Sequence, residues 1–429
     1  MIQWHEWTEE TLAKAKTANK PILLSVGYFA CYWCHVMEKR VYSVDEALAK
    51  LLNEEFIAIK VDKDERPDID EIYLRARTLI TKQSGWPNHV FLTPDGLPFL
   101  ACGVMLGENR SITKLAQEVA ERWQASEPQL REAAGHVASI IKDELSVEIL
   151  EGDGTPNKDV VPVFHEYLSQ HYDAEFGSFY AEPKFPHENY LLFLLSEYRH
   201  RGDDSSLEMV RQSLKKMAAG AMNDAVGGGF HRYCTDKEWR APHFEKMLYN
   251  QALLGRCYTE LYALANKPYH RDIAEQTIDF VLRELTAPSG AFYAGLDAET
   301  EGVEGAYYVW QEDEINSLLS SEQRDLLSKC YGLADLPEHK GHPPVEGKAL
   351  YARRHLIALA NEKQRSYESL RDALTPILST LKASRDMRKR PDRDEKILAG
   401  WNGLMIDTLA RASQTFERDD YLQAALKAA

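Results

Sequence analysis

The stretch "LLSVGYFACYWCHVMEKR", Leu23 to Arg40, carries a short apolar run into Cys31-Tyr32-Trp33-Cys34-His35. The run Pro21–Val26, "PILLSV", suits a buried strand. A loop over 27–30 follows, and Trp33–Lys39 reads as helical. A strand delivering a cysteine to a helix N-terminus places that thiol among unpaired amides and the positive end of the helix dipole, which favour thiolate. Cys31 is then the exposed nucleophile. Cys34, one turn on, is the resolving thiol that attacks a mixed disulfide. Trp33 shapes access together with Tyr32, and His35 either biases the thiolate or is a solvated helix residue.

The same residues admit three other readings. Cys-x-x-Cys-His anchors c-type haem, but haem attachment needs export and the N-terminus has no apolar signal segment. Structural zinc needs two more ligands, usually a second close pair, which is absent from the sequence. The blandest reading is two core cysteines without redox chemistry.

The elements around this stretch alternate between strand and helix. Thr8 is placed to cap a helix reaching about Asn19. Ser43 and Glu46 match a capping box opening "VDEALAKLLNEEF". "FIAIKV" (Phe56–Val61) reads as a second central strand, and "PDIDEIYLRARTLITK" as a helix with Asp68 as its cap. "HVFLT" and "LPFLAC" read as a hairpin across Pro94-Asp95-Gly96. Two helices, about Ser111–Gln124 and Pro128–Leu145, close this half. Ser84-Gly85-Trp86-Pro87 precedes "HVFLT". That position is expected to hold a cis-proline facing the dithiol, with Trp86 and Pro87 lining a groove for an extended substrate; an ordinary trans-proline at a strand start is the alternative.

At 429 residues the chain exceeds one ordinary core, so two domains are expected. Residues 1–150 form the α/β half, "EGDGTPNKD" (Glu151–Asp159) is a linker, and residues 158–429 form a helical region. Helical segments recur there around 160–172, 189–200, 206–222, 243–265, 271–286, 355–382 and 397–416, a pattern of stacked helical hairpins. The closing helix, with Asp420 as its start and Tyr421, Leu422, Ala425 and Leu426 on its apolar face, is expected to lack a following partner, as in an unfinished ring. Acidic residues outnumber basic ones 67 to 51, a net charge of −16. That argues against broad nucleic-acid or anionic-membrane binding. Six cysteines are too few for a disulfide scaffold of this size, so a cytoplasmic setting is expected.

"ANKPILLSVGYFACYWCHVME", "LLNEEFIAIKVDKDERPDIDEIY" and "GWPNHVFLTPDGLPF" resemble the N-terminal domain of the spermatogenesis-associated thioredoxin-like family. The likeness continues through "EPKFPHENY", "GGGFHRYCTDKEWRAPHFEKMLYNQALL", "GLDAETEGVEGAYYVW" and "DEKILAGWNGLMIDTLARA". The resemblance implies an α/β thioredoxin-like domain followed by an all-α (α/α) toroid similar to the six-hairpin glycosidases, incomplete in this chain. The sequence departs from the family at Cys234, where serine is usual, and at Asn250, where aspartate is usual.

Within the helical region, His231, Trp239, His243, Glu245 and Asp297 are candidates to line a ring mouth. Aromatic platforms with carboxylates suit a sugar site, one carboxyl as acid and the other as base or nucleophile. Histidine would instead carry the proton in an isomerisation. The bland alternative is loops knitted together by the same groups. "SRDMRKRPDRDEK" reads as a solvated loop. The carboxylates of "VDKDERPDIDE" also read as a solvated loop with caps, and no metal or cofactor is assigned. The leading expectation is thiol–disulfide exchange on a protein disulfide or small thiol, using Cys31 and Cys34. A carbohydrate-active epimerase or hydrolase with a regulatory dithiol is the alternative, and a non-catalytic binding protein is a third.

Overall fold

Two compact units, Met1–Thr155 and Pro156–Ala429, make up the chain. The structure, a computed structural model, describes residues 1–107, 110–146, 159–337, 345–353 and 355–429. Most of the segment expected to be the linker lies outside the described residues.

In the first unit, α1 (Glu9–Ala18) starts at Thr8, whose hydroxyl accepts the Thr11 amide, and ends at Asn19 in the left-handed region. β1 (Ile22–Gly27) is buried along almost its whole length. That is why its sequence is a continuous apolar run rather than an alternation. α2 (Tyr32–Met37) carries the cysteine pair, and a π-helical turn follows over Glu38–Tyr42. α3 (Glu46–Glu55), β2 (Ile57–Asp62), α4 (Pro67–Thr81), β3 (Asn88–Leu92), β4 (Pro98–Cys102) and α5 (Ile112–Leu145) complete the unit.

The sheet order is β2-β1-β3-β4. β1 and β2 are parallel, with Leu24 opposite Ile59, while β3 runs antiparallel to β1, with Val26 opposite Asn88. One face packs Ala15, Ile69 and Tyr73 against Ile22, Leu24 and Val26. The other packs Met37, Leu48, Leu52 and Val119 against Leu23 and Phe91. This is a thioredoxin-like layering. The two expected closing helices are α5 itself, kinked at Ser126 two residues before Pro128.

Two expected caps move. Asp45, not Ser43, caps α3, its Oδ1 accepting the Leu48 amide at 2.9 Å. The π-helical turn holds Ser43 in a helical conformation, whereas a cap needs extended backbone, and Asp45 has it. α4 begins at Pro67 with Arg66 as its N-cap, so Asp68 falls inside the first turn and pairs with Arg66 at 2.7 Å.

The second unit is largely helical. Its hairpins are α7 (Glu188–Arg201) with α8 (Asp204–Ala219), α9 (Leu248–Ala265) with α10 (Pro268–Glu284), and α15 (Ala399–Phe416) with α16 (Asp419–Ala428). α6 (Val160–His171), α11 (Glu312–Leu318), α12 (Ser321–Cys330), α13 (Leu356–Glu362) and α14 (Tyr367–Arg385) complete the set among the described residues. α9 packs against both α7 and α15, so the first helices of successive hairpins form one layer and their partners a second. That two-layer arrangement is the pattern of an α/α toroid.

The last helix is capped at Arg418 without a side-chain hydrogen bond, rather than started by Asp420. Half of its expected bare face is covered. Tyr421 and Ala425 are buried in the core, while Leu422 and Leu426 remain exposed. The basic stretch after Ser384 is tied down rather than solvated. Arg385 is buried on Asp224, Arg388 pairs with Glu314, and Arg390 pairs with Glu284. No helix among the described residues is long and apolar enough to cross a membrane.

Candidate functional site

Gly27 ends β1 and hands the chain to a loop closing at Cys31. Cys31 is the N-cap of α2, with extended backbone, and its Sγ accepts the Cys34 amide at 3.2 Å. Orphan amides at a helix start favour a thiolate there. Cys31 and Cys34 are joined as a disulfide, their Cα atoms 5.2 Å apart. Cys34 packs directly on the strand end, since a Cβ added at Gly27 would lie 2.9 Å from its Sγ. Accessibility is the reverse of the expected one: Cys31 is 3% exposed, whereas Cys34 is half-buried.

The Trp86–Pro87 peptide is cis, as expected from its place before β3. Trp86 is held by its indole Nε1 donating to Asp70 Oδ1 at 2.8 Å, and its ring meets Tyr28 edge-on. Lys63 lies over both rings, 4.4 Å from Tyr28 and 5.0 Å from Trp86. Arg77 donates to the Gly85 and Pro87 carbonyls at 2.6 and 2.9 Å, fixing the loop from beneath. Trp33 packs edge-on against Tyr32, and His35 against Phe29.

Sequence reasoning missed Gly27, Tyr28, Lys63 and Arg77, and Asp70, expected in a solvated loop with caps, is instead buried on α4 beneath the Trp86 indole. Arg77 had one legible signal, a buried register on an otherwise amphipathic helix. The remaining cysteines are unsuited to nucleophilic work near neutrality. Burial pushes Cys102 up to about 12 and Cys330 to about 11, and drives Cys234 and Cys257 well above the ordinary thiol range.

In the second unit the expected residues divide. His243 and Glu245 come together with groups the sequence did not single out as a set. His243 Nδ1 lies 2.8 Å from Glu304 Oε1 and 3.7 Å from Glu245 Oε1. Arg232 reaches Glu245 at 3.2 Å and donates through Nε to the Tyr249 hydroxyl at 2.8 Å. Burial pulls the His243 pKa down, but Glu304 and then Glu245 outweigh it, so the net shift is upward. Nearby in this electrostatic set, Glu188 is raised to about 7 by burial, despite Asn250 Nδ2 donating to its Oε1 at 2.7 Å. Asn250, the position departing from the family pattern, therefore contacts a carboxyl that burial raises toward neutrality.

His231 and Trp239 do not line an open mouth. Trp239 is wholly buried, with its indole N–H on the Phe176 carbonyl at 2.8 Å. His231 is buried between Phe244 and Tyr308, and burial lowers it to about 3, so it stays neutral. Asp297 is also buried, its Oδ1 accepting the Glu299 amide in the turn before the Glu299–Glu304 hairpin.

Fold and dithiol together define a thioredoxin-like domain joined to a helical domain of the α/α-toroid type. The Thioredox_DsbH family, described as "Protein of unknown function, DUF255", matches residues 1–142. Spermatogenesis-associated protein 20 of Homo sapiens is 34% identical over 462 residues, covering 100% of this chain and 58% of the relative. Its Mus musculus counterpart is 35% identical over 443 residues, covering 95% and 55%. Over its whole length the chain is similar to the spermatogenesis-associated protein 20 relatives. It spans a little over half the length of these curated relatives.

Among solved structures, a DsbH oxidoreductase is 19% identical, with a TM-score of 0.23, over 28% of this chain and 83% of that one. Cellobiose 2-epimerase from Bacillus thermoamylovorans is 14% identical, with a TM-score of 0.29, over 63% and 86%.

Proposed function

We propose that the chain is a thiol–disulfide oxidoreductase working through Cys31 and Cys34. The observation that carries this reading is the joined pair at the start of α2, with Cys31 Sγ taking the Cys34 amide. In the reducing direction, the Cys31 thiolate attacks one sulfur of a client disulfide, and the other client sulfur leaves as thiolate. Cys34, deprotonated, then attacks Cys31 Sγ and releases the second client thiolate. Two electrons pass from the dithiol to the client, and the chain is left with its own disulfide. A cellular dithiol must reduce it again before the next turn.

The test is reduction of a small aromatic disulfide by the pre-reduced chain, followed by thiolate release. Cys31→Ser should abolish release, and Cys34→Ser should stall as a mixed disulfide. Although Cys31 is the less exposed thiol of the joined pair, alkylation of the reduced chain near neutral pH should label it faster than Cys34, because thiolate is favoured at the helix start. Undiminished turnover in Cys31→Ser would sink the assignment.

A second reading rests on separate observations, the His243–Glu304 pair at 2.8 Å and the buried Glu188, raised to about 7, in the field of the Arg232 that pairs with Glu245. A carboxyl that burial raises toward neutrality and a carboxylate-held imidazole are groups suited to proton transfer on a polyhydroxylated ligand. Calorimetric binding of cellobiose, lost in His243→Ala, would favour it; no binding would set it aside.

A further inference from the structure

Away from both clusters, the second unit carries a cleft of about 300 Å3. Lys215 and Lys216 enter it from α8, Arg240 from the loop ahead of Pro242, and Tyr351 and Arg353 from the strand Ala349–Ala352 and its end. Glu238 is the one carboxylate in the lining, and it lies 3.1 Å from Arg240. Among the described residues, Lys215, Lys216 and Arg353 have no carboxylate within ion-pair distance. Three uncompensated cations around one recess stand out in a chain whose net charge is −16.

Two of the guanidinium groups are held in place. Arg240 lies 4.7 Å over the Tyr351 ring, and Arg353, which lines the recess, donates its Nε to the Tyr331 carbonyl at 2.8 Å. Pinned guanidinium groups bind tetrahedral oxyanions with less ordering cost than free side chains. His355 lines the same recess, and burial followed by the field of Lys215 lowers it to about 4. The positive field is therefore felt inside the cleft.

We propose that this cleft binds the phosphate group of a small phosphorylated metabolite. The volume lies at the lower end of small-ligand sites, which fits one phosphate with a short organic body. Three positive charges match a dianion better than a single carboxylate.

The probes are inorganic phosphate and glycerol 3-phosphate, titrated calorimetrically into the chain at ionic strength held constant with sodium chloride. Both should bind saturably with one site per chain. Lys215→Gln and Arg353→Gln should each weaken binding at least about tenfold, the loss expected for one charge-assisted contact. Lys389→Gln, which removes an exposed lysine elsewhere, should leave binding unchanged. Arg353→Gln also loses the Tyr331 contact, so if its fold suffers, the exposed Lys215 variant decides. Heats no larger than those from added chloride, binding of phosphate but not its ester, or unchanged affinity in Lys215→Gln would each overturn the proposal.

Discussion

Glu188 opens α7 with its carboxyl buried, accepting a hydrogen bond from Asn250 Nδ2. Burial raises its folded pKa to about 7, above an ordinary value of 4.5. The folded chain therefore holds a proton that the unfolded chain releases between those values, and stability falls as pH rises through that window. Glu188→Gln keeps the oxygen that accepts from Asn250 and removes the charge. The variant should unfold at higher urea than wild type at pH 8, by roughly 3 kcal/mol, and match it at pH 4.5. A wild-type advantage at pH 8 would show that the ionised carboxylate has a stabilising partner. At this scale the cysteines and His243 were legible because their chemistry is rare and closely spaced. Glu188 was not, because nothing in "HENYLL" distinguishes an acid at a solvated helix start from one facing a core.

At the level of elements, α3 offers a clean contrast between a motif and the cap that forms. Ser43 and Glu46 satisfy the capping-box spacing, yet Asp45 accepts the Leu48 amide and also takes a hydrogen bond from Thr113 Oγ1 at 2.6 Å. Ser43 instead donates to Glu38. Asp45→Ala should cost about 1–2 kcal/mol in denaturant unfolding, and Ser43→Ala under about 0.5 kcal/mol. Equal costs would restore the capping box. The strand and helix periods themselves were readable, since β1 is apolar from Ile22 to Val26 except at Ser25 and α3 repeats Leu48, Ala49 and Leu52 on one face. Their ends were less so. The π-helical turn that displaces the cap comes from packing Val41 and Tyr42 into the core beside α3, which no local pattern encodes.

Across the second unit, Asp224 binds Lys246 at 2.7 Å and Arg385 at 2.8 Å, and all three are buried. Arg385 lies 161 residues from Asp224 in sequence, so this triad ties α14 to the loop after α8. Cations hold Asp224 well below the carboxylate range, Arg385 before Lys246, against the opposing effect of burial. Asp224→Asn would leave two buried cations without a counter-charge and should cost on the order of 3–5 kcal/mol, read as a fall in the melting temperature of the chain. Loss below about 1 kcal/mol would mean that water already compensates these cations.

The sequence alone determined the order of strands and helices, the strand–cysteine–helix junction and the two-part organisation, because these follow from local periodicity, turn residues and the short reach between Cys31 and Cys34. Tertiary structure decided which polar residues work as a set. Trp239, His231 and Arg385 looked like surface chemistry and are core, since their partners (Phe176, Phe244 and Asp224) arrive from elsewhere in the chain. His243 gains Glu304 from a hairpin some sixty residues on, and Lys215 meets Arg353 across a cleft. Burial and long-range pairing set those charges and pKa values, and neither is a property of neighbours in sequence.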